Sequence, residues 1–180
     1  MWEVLQRLKR EGRLVRIERD ALNVADIRGF VGSVSDTFAL IHVVTAACHF
    51  DGGVVLRTKD VTCLRWGEAV SEARARAAFE SPTAPEATAH VDLSSWEMLL
   101  PAVTCGEPVV TLHRERADEC HVVTAVALVG ECVEAEEISP DGSLDGTVAF
   151  DVSDLTRVDF GGTFERGVVR MLRPARAVGQ

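Results

Sequence analysis

A mainly β protein with flanking helices (α+β) is what the sequence predicts, arranged as two five-stranded small barrels packed as a pseudo-twofold tandem repeat. Three observations carry this expectation. First, one pattern occurs twice, 94 residues apart and aligned without a gap: the stretch 51–67, DGGVVLRTKDVTCLRWG, returns over 145–161 as DGTVAFDVSDLTRVDFG. The same offset pairs Trp2-Glu3 with Trp96-Glu97, Leu5 with Leu99, Gly12 with Gly106 and Val15 with Val109, and self-similarity at a fixed period marks a duplicated structural unit. Second, the apolar runs are short and separated by tight-turn signals, the pattern of strands in a barrel whose closure removes exposed edges. Third, units of about 80 residues bury a limited share of their surface, so two of them are expected to pack on each other.

Each copy opens on a helix. In the first, Trp2, Leu5 and Leu8 recur near helical spacing and Gly12 stops the run. In the second, Trp96, Leu99, Leu100 and Val103 form an i, i+3, i+4, i+7 stripe behind Ser94 or Ser95 as N-cap, with Pro101 inside and Gly106 at the end. Strands are predicted over 14–19, 29–34, 38–44, 54–58 and 61–66, and again over 109–114, 121–128, 132–138, 147–152 and 155–160. Ser35-Asp36, Asp51-Gly52, Pro140-Asp141-Gly142 and Asp145-Gly146 supply the turns. The almost wholly apolar run 122–129 reads as a strand buried on both faces. A further helix follows each set of strands, over 68–79 and 164–172. The domain boundaries that result are 1–80 for the first repeat, a Pro/Thr/Ala linker over 81–92, 93–173 for the second repeat and a tail over 174–180.

One helix followed by five strands, the last two joined by a minimal turn, resembles the Sm-like small barrel and the SH3-like group more broadly. Val34-Ser35-Asp36-Thr37-Phe38-Ala39-Leu40 resembles that family's hydrophobic–polar–Asp–x–Phe turn, and 54–64 resembles its fourth strand, short turn and fifth strand. The resemblance implies a small barrel and, for its RNA-binding members, an Asn after the Asp that holds a base. Here that position is Leu40 in the first copy and Glu134 in the second, and the family's basic-Gly dipeptide is replaced by Thr58-Lys59-Asp60 and Val152-Ser153-Asp154.

Charge divides the copies. Residues 1–90 hold 12 basic and 12 acidic groups, whereas 91–180 hold 7 against 16 and so carry the whole net charge of −9. The basic groups Arg7, Arg10, Arg13 and Arg16 crowd the first element, and Glu131, Glu134 and Glu136 crowd one strand of the second copy. These seven are the candidate partner-binding residues, with faces that differ between the copies or complement each other. Absent tyrosine, 6% aromatic residues and a pI near 5.0 disfavour nucleic acid. No apolar run is long enough for a membrane span, and the first ten residues read as an amphipathic helix, not a signal peptide. Five cysteines without framework spacing fit reduced thiols in a cytoplasmic setting.

No catalytic, cofactor-binding or metal-binding residues are predicted. Asp60-Val61-Thr62 and Asp154-Leu155-Thr156 recur at a strand–strand turn, where Asp accepts backbone N–H groups and Thr extends the strand. Cys48-His49 with Asp51, Cys120-His121 and His42 lack the short-spaced ligand pairs of a zinc site, because neighbours on a strand point to opposite faces. Phosphate-loop and nucleophile-elbow motifs do not occur. The function expected is therefore non-enzymatic: a protein-interaction or assembly module, as a monomeric pseudo-dimer or a homodimer, whose partner is another protein or its own copy. The alternatives are an Sm-like RNA binder, and behind it a metal- or cysteine-dependent enzyme.

Overall fold

In a computed structural model the chain is described over residues 1–79 and 91–175. The expected linker over 81–92 and tail over 174–180 lie almost wholly outside those residues. The elements run α1 (Trp2–Arg10), β1 (Leu14–Glu18), β2 (Ile27–Val34), β3 (Phe38–Val44), β4 (Phe50–Arg57), β5 (Cys63–Trp66) and α2 (Ala69–Phe79). They continue with α3 (Trp96–Gly106), β6 (Val110–Arg114), β7 (Glu119–Val129), β8 (Cys132–Ile138), β9 (Leu144–Asp151), β10 (Arg157–Phe160) and α4 (Thr163–Ala175). Short 3₁₀ turns, Thr58–Asp60 and Val152–Asp154, join the last two strands of each half.

Two closed barrels are not what the strands form. They build one antiparallel ten-stranded sheet in the order β5-β1-β2-β3-β4-β10-β6-β7-β8-β9. The first five neighbours and the last five follow the same succession, and the halves meet where β4 pairs with β10, Arg157 opposite Leu56 and Phe160 opposite Gly53.

The pairing also corrects the gapless alignment. Ile17 faces Leu64 and Leu112 faces Val158, so β1 and β6 correspond at an offset of 95 while β5 and β10 correspond at 94. The connection from the first to the second strand is one residue shorter in the second half: Arg16 faces Arg28, but Thr111 faces Val122. Trp2 and Trp96 therefore do not correspond. Trp2 is exposed, whereas Trp96 is buried with its ring 4.5 Å from that of Phe38.

Alternation along β3 and β4 explains why the halves form one body. Ala39, Ile41, Val54 and Leu56 pack beneath Leu5 and Leu8 of α1. Their neighbours Phe38, Leu40 and Val55 face the other way and join Trp96, Leu99, Leu100 and Val103 of α3 with Val123, Val133 and Val158. Strands with apolar side chains on both faces belong in a sheet covered on both sides. The same expectation fails for β7. Only Val123 of that strand is buried: a bulge at Ala125, φ +51°, shifts the register between Thr124 and Ala127, and Val126 and Leu128 beyond it pack only partly buried against the seam cluster. Smaller clusters seat α2 through Ala75 on Leu14, Phe30, Val44 and Cys48, and α4 through Val168 on Val109 and Ile138. Among the described residues no helix is long and apolar enough to cross a membrane.

Candidate functional site

The seam between the halves holds a buried ionic network that carries no signal in local sequence. Arg19, wholly buried, donates to both oxygens of Glu115 at 2.5 and 2.8 Å, and Arg157 lies 3.0 Å from the same carboxylate. Burial pushes the Glu115 carboxyl up, but the hydrogen bonds and charge of Arg19, aided by Arg157, outweigh it and hold the group below its ordinary value. Arg157 continues to Asp159, and His113 Nε2 stands 3.1 Å from that carboxylate. Across the same seam Arg116 donates to Asp60 at 2.7 Å and Arg57 donates to the Val152 carbonyl at 3.0 Å.

Of the repeated Asp-x-Thr positions only the Thr binds the backbone as expected, because among the described residues Asp60 and Asp154 accept from the guanidinium groups of Arg116 and Arg114 and not from turn N–H groups. Thr62 Oγ1 accepts from the Asp20 amide and donates to the Glu18 carbonyl, and Thr156 Oγ1 makes the same two bonds with the Glu115 amide and the His113 carbonyl. Each hydroxyl ties the last strand of its half to the 3₁₀ turn after the first.

At the ends of the sheet, β5 and β9 have no second neighbour among the described strands. They are the counterparts, by pairing order, of β10 and β4, which join at the seam. The exposure pattern follows. Residues 52–57 of β4 are all buried, whereas in β9 residues 144–147, Ala149 and Asp151 are exposed. The seam-facing trio Phe38, Leu40 and Val55 corresponds to Cys132, Glu134 and Ala149, so an apolar contact face at the centre becomes an acidic one at the β9 end.

The seven expected partner-binding residues distribute over these two ends. Arg7 and Arg10 are exposed on α1, and Arg7 lies 5.7 Å over the exposed ring of Trp66 on β5. Arg16 is exposed on β1 and pairs with Asp26 at 2.6 Å, while Arg13 turns aside to Glu72 of α2 at 3.1 Å. The four arginines thus do not form one face. Glu134 and Glu136 do share a face of β8, opposite Ala149 and Thr147 of β9, and Glu131 is exposed in the turn before it.

The Cys/His residues are scattered. Cys48 is buried against the Ser71 carbonyl, Cys120 is exposed, and His121 stacks on Phe150 while meeting Glu137 at 2.9 Å. Among the described residues no group of three His, Cys, Asp or Glu side chains is placed to hold a metal ion.

A cavity of about 480 Å³ also opens at the seam, with Phe38, Arg57, Lys59, Ser95 and Trp96 in its walls. Arg57 is buried there, 5.9 Å over the Trp96 ring, makes no ion pair among the described residues, and burial lowers its pKa. The N-terminus of α3 faces this space without a side-chain cap from Ser95. No family model, curated protein or solved structure gives a significant match to the chain.

Proposed function

We propose that the protein is a non-enzymatic assembly module of two five-stranded units with Sm-like strand order, and that it associates with further copies head to tail through β5 and β9. The observation that carries this reading is the β4–β10 seam. One unit already accepts the other there through the counterparts of the two strands left open at the ends, and an unpaired strand edge is a ready template for another chain. Transferring the seam register sets Cys63, Leu64, Arg65 and Trp66 of one copy against Phe150, Ala149, Val148 and Thr147 of the next.

Charge supports the same docking. The β5 end presents exposed Arg7 over Trp66, exposed Arg10 on the same helix, and Arg65 paired with Glu18, and the β9 end presents exposed Glu134, Glu136, Asp145 and Asp151. Opposite charge at facing ends steers encounter and fixes register, and the polar replacement of the Phe38–Leu40–Val55 face makes the contact salt-dependent. Because the two ends differ, such a contact is heterologous and yields a closed ring or an open filament.

Sedimentation across a concentration and salt series tests the reading. The expected outcome is growth beyond the monomer at low salt, loss of growth in Glu134→Lys/Glu136→Lys and in Arg7→Glu/Arg10→Glu, and recovery when those two variants are mixed. A chain that stays monomeric at every concentration in low salt overturns it.

The seam cavity favours a second reading, single-stranded RNA. The Trp96 ring is covered by Phe38 and Arg57, so what the cavity offers a nucleotide is a phosphate contact at exposed Lys59 beside the N-terminus of α3. Fluorescence anisotropy with an unstructured RNA oligonucleotide checks this. Binding that falls with salt and is lost in Lys59→Glu supports it, and no binding at low salt removes it.

A further inference from the structure

A cavity of about 390 Å³ lies away from both the seam and the sheet ends, where the end of α1, β2, β3 and α2 converge. Lys9, Phe30, Val31, Gly32, His42 and Arg76 line it. Its charge is unbalanced. Lys9 makes no ion pair among the described residues. Arg76 lies 3.1 Å from Glu72, but that buried carboxylate also serves Arg13 at 3.1 Å. Two cations therefore share one carboxylate, and Lys9 adds a third positive charge without an ion pair among the described residues. A cluster of like charges is costly unless water or a counter-anion compensates it.

His42 reports the same field. Burial, and then the positive charge of Lys9, lowers its pKa below the ordinary 6.5, so the ring is neutral at neutral pH. Arg76 and Lys9 are the charged groups that line the cavity with it, from α2 and α1. Gly32 sets the ring's place, since a Cβ there would stand 2.5 Å from His42 Nε2. The same missing side chain leaves room beside Phe30, which is paired opposite His42 and is buried and apolar. Cations on one side and an aromatic floor on the other, in a volume of this size, are the features of a small-molecule site.

We propose that this cavity binds a small organic carboxylate, its head held by Lys9 and Arg76 beside His42 and its apolar body lying on Phe30. The full chain, followed by NMR, is titrated with benzoate, inorganic phosphate and benzyl alcohol. Benzoate is expected to cause saturable shifts at Lys9, Gly32 and His42, to raise the His42 pKa, and to bind more tightly than the other two probes. Lys9→Gln is expected to weaken benzoate about tenfold, the loss of one charge-assisted contact. Lys9 is exposed and without an ion pair, so this variant keeps the wild-type unfolding midpoint and its effect reads binding alone. Phosphate binding as tightly as benzoate overturns the apolar seat, and benzyl alcohol binding as tightly overturns the cationic head site. Absence of saturable shifts with benzoate, or unchanged affinity in Lys9→Gln, overturns the proposal as a whole.

Discussion

Arg19 and Glu115 stand 96 positions apart in the chain and close a two-point ion pair, one side chain wholly buried and the other nearly so. Neither could remain charged in the interior alone, so each half of the molecule completes the other. Removing one partner leaves an uncompensated buried charge. Arg19→Met is expected to cost about 3–5 kcal/mol, and Glu115→Gln at least as much, because Arg157 loses its partner too. Replacing both with apolar residues should cost less than the two single changes together. Urea unfolding in a double-mutant cycle measures the difference, and additive costs would argue against coupling.

The pH dependence follows from the same carboxylate. Its folded pKa lies below its ordinary 4.5, so the folded state favours the ionised form. The stability it contributes is complete above about 4.5 and is lost as pH falls through the folded value. Glu107 has the opposite sign, since burial raises its pKa and the ionised form is the disfavoured one. Unfolding followed from pH 7 to 3 should fall less steeply in Glu115→Gln, whereas Glu107→Gln should be more stable than wild type at pH 7.

Gly52 and its counterpart Gly146 separate backbone strain from packing at the seam. Both have left-handed φ, +79° and +100°, but a Cβ at Gly52 would lie 2.5 Å from the Gly162 amide and the Phe160 carbonyl, whereas Gly146 has open space. Gly146→Ala is expected to cost about 1 kcal/mol and Gly52→Ala about 2–3 kcal/mol or more in thermal unfolding. Equal shifts would mean that the β4–β10 contact yields freely. Loss of self-association in Gly146→Ala, with the monomer still folded, would place β9 in the docking contact.

Leu40 and Glu134 test how differently the two halves use one position. Leu40→Ala opens a cavity in a core filled from both halves and should cost about 2–5 kcal/mol. Glu134→Ala, on an exposed face, should stay within about 0.5 kcal/mol while weakening association. Chemical denaturation and sedimentation read the two effects separately.

Thiol labelling gives a rapid check of the packing. Cys105 and Cys120 are exposed and should react first. Cys48, buried between β3 and α2, should react only on unfolding, and Cys63 should lag because burial and then the charge of Glu18 raise its pKa. Uniform labelling of all five would contradict the placement of Cys48.

Strand positions were legible to a degree that local rules explain. The runs 38–44 and 132–138 coincide with β3 and β8, and the other strands differ at their ends by one to four residues, because an apolar run between turn residues has few alternatives. The repeat was visible through its turn residues, but its register was not. One residue lost between β6 and β7 moves the helix equivalence by one, and turning Trp2 outward while Trp96 is buried is a consequence no gapless comparison contains. Of the candidate site, the acidic group Glu134 and Glu136 was legible because alternation places both on one face. The basic group was not, since Arg13 and Arg16 are drawn to Glu72 and Asp26 by packing that spacing does not encode.

What the chain determines by itself is therefore local: ten short strands, four helices, the turns between them, and an uneven charge between its halves. Periodicity, turn chemistry and composition act over a few residues, so they can be read a few residues at a time. Only the tertiary structure decides that β4 takes β10 as its neighbour, that Arg19 finds Glu115, and that β5 and β9 are left open. Those outcomes depend on which apolar faces and which charges are buried together across nearly a hundred residues. The energy of each pairing exists only once the rest of the sheet has brought its members into contact.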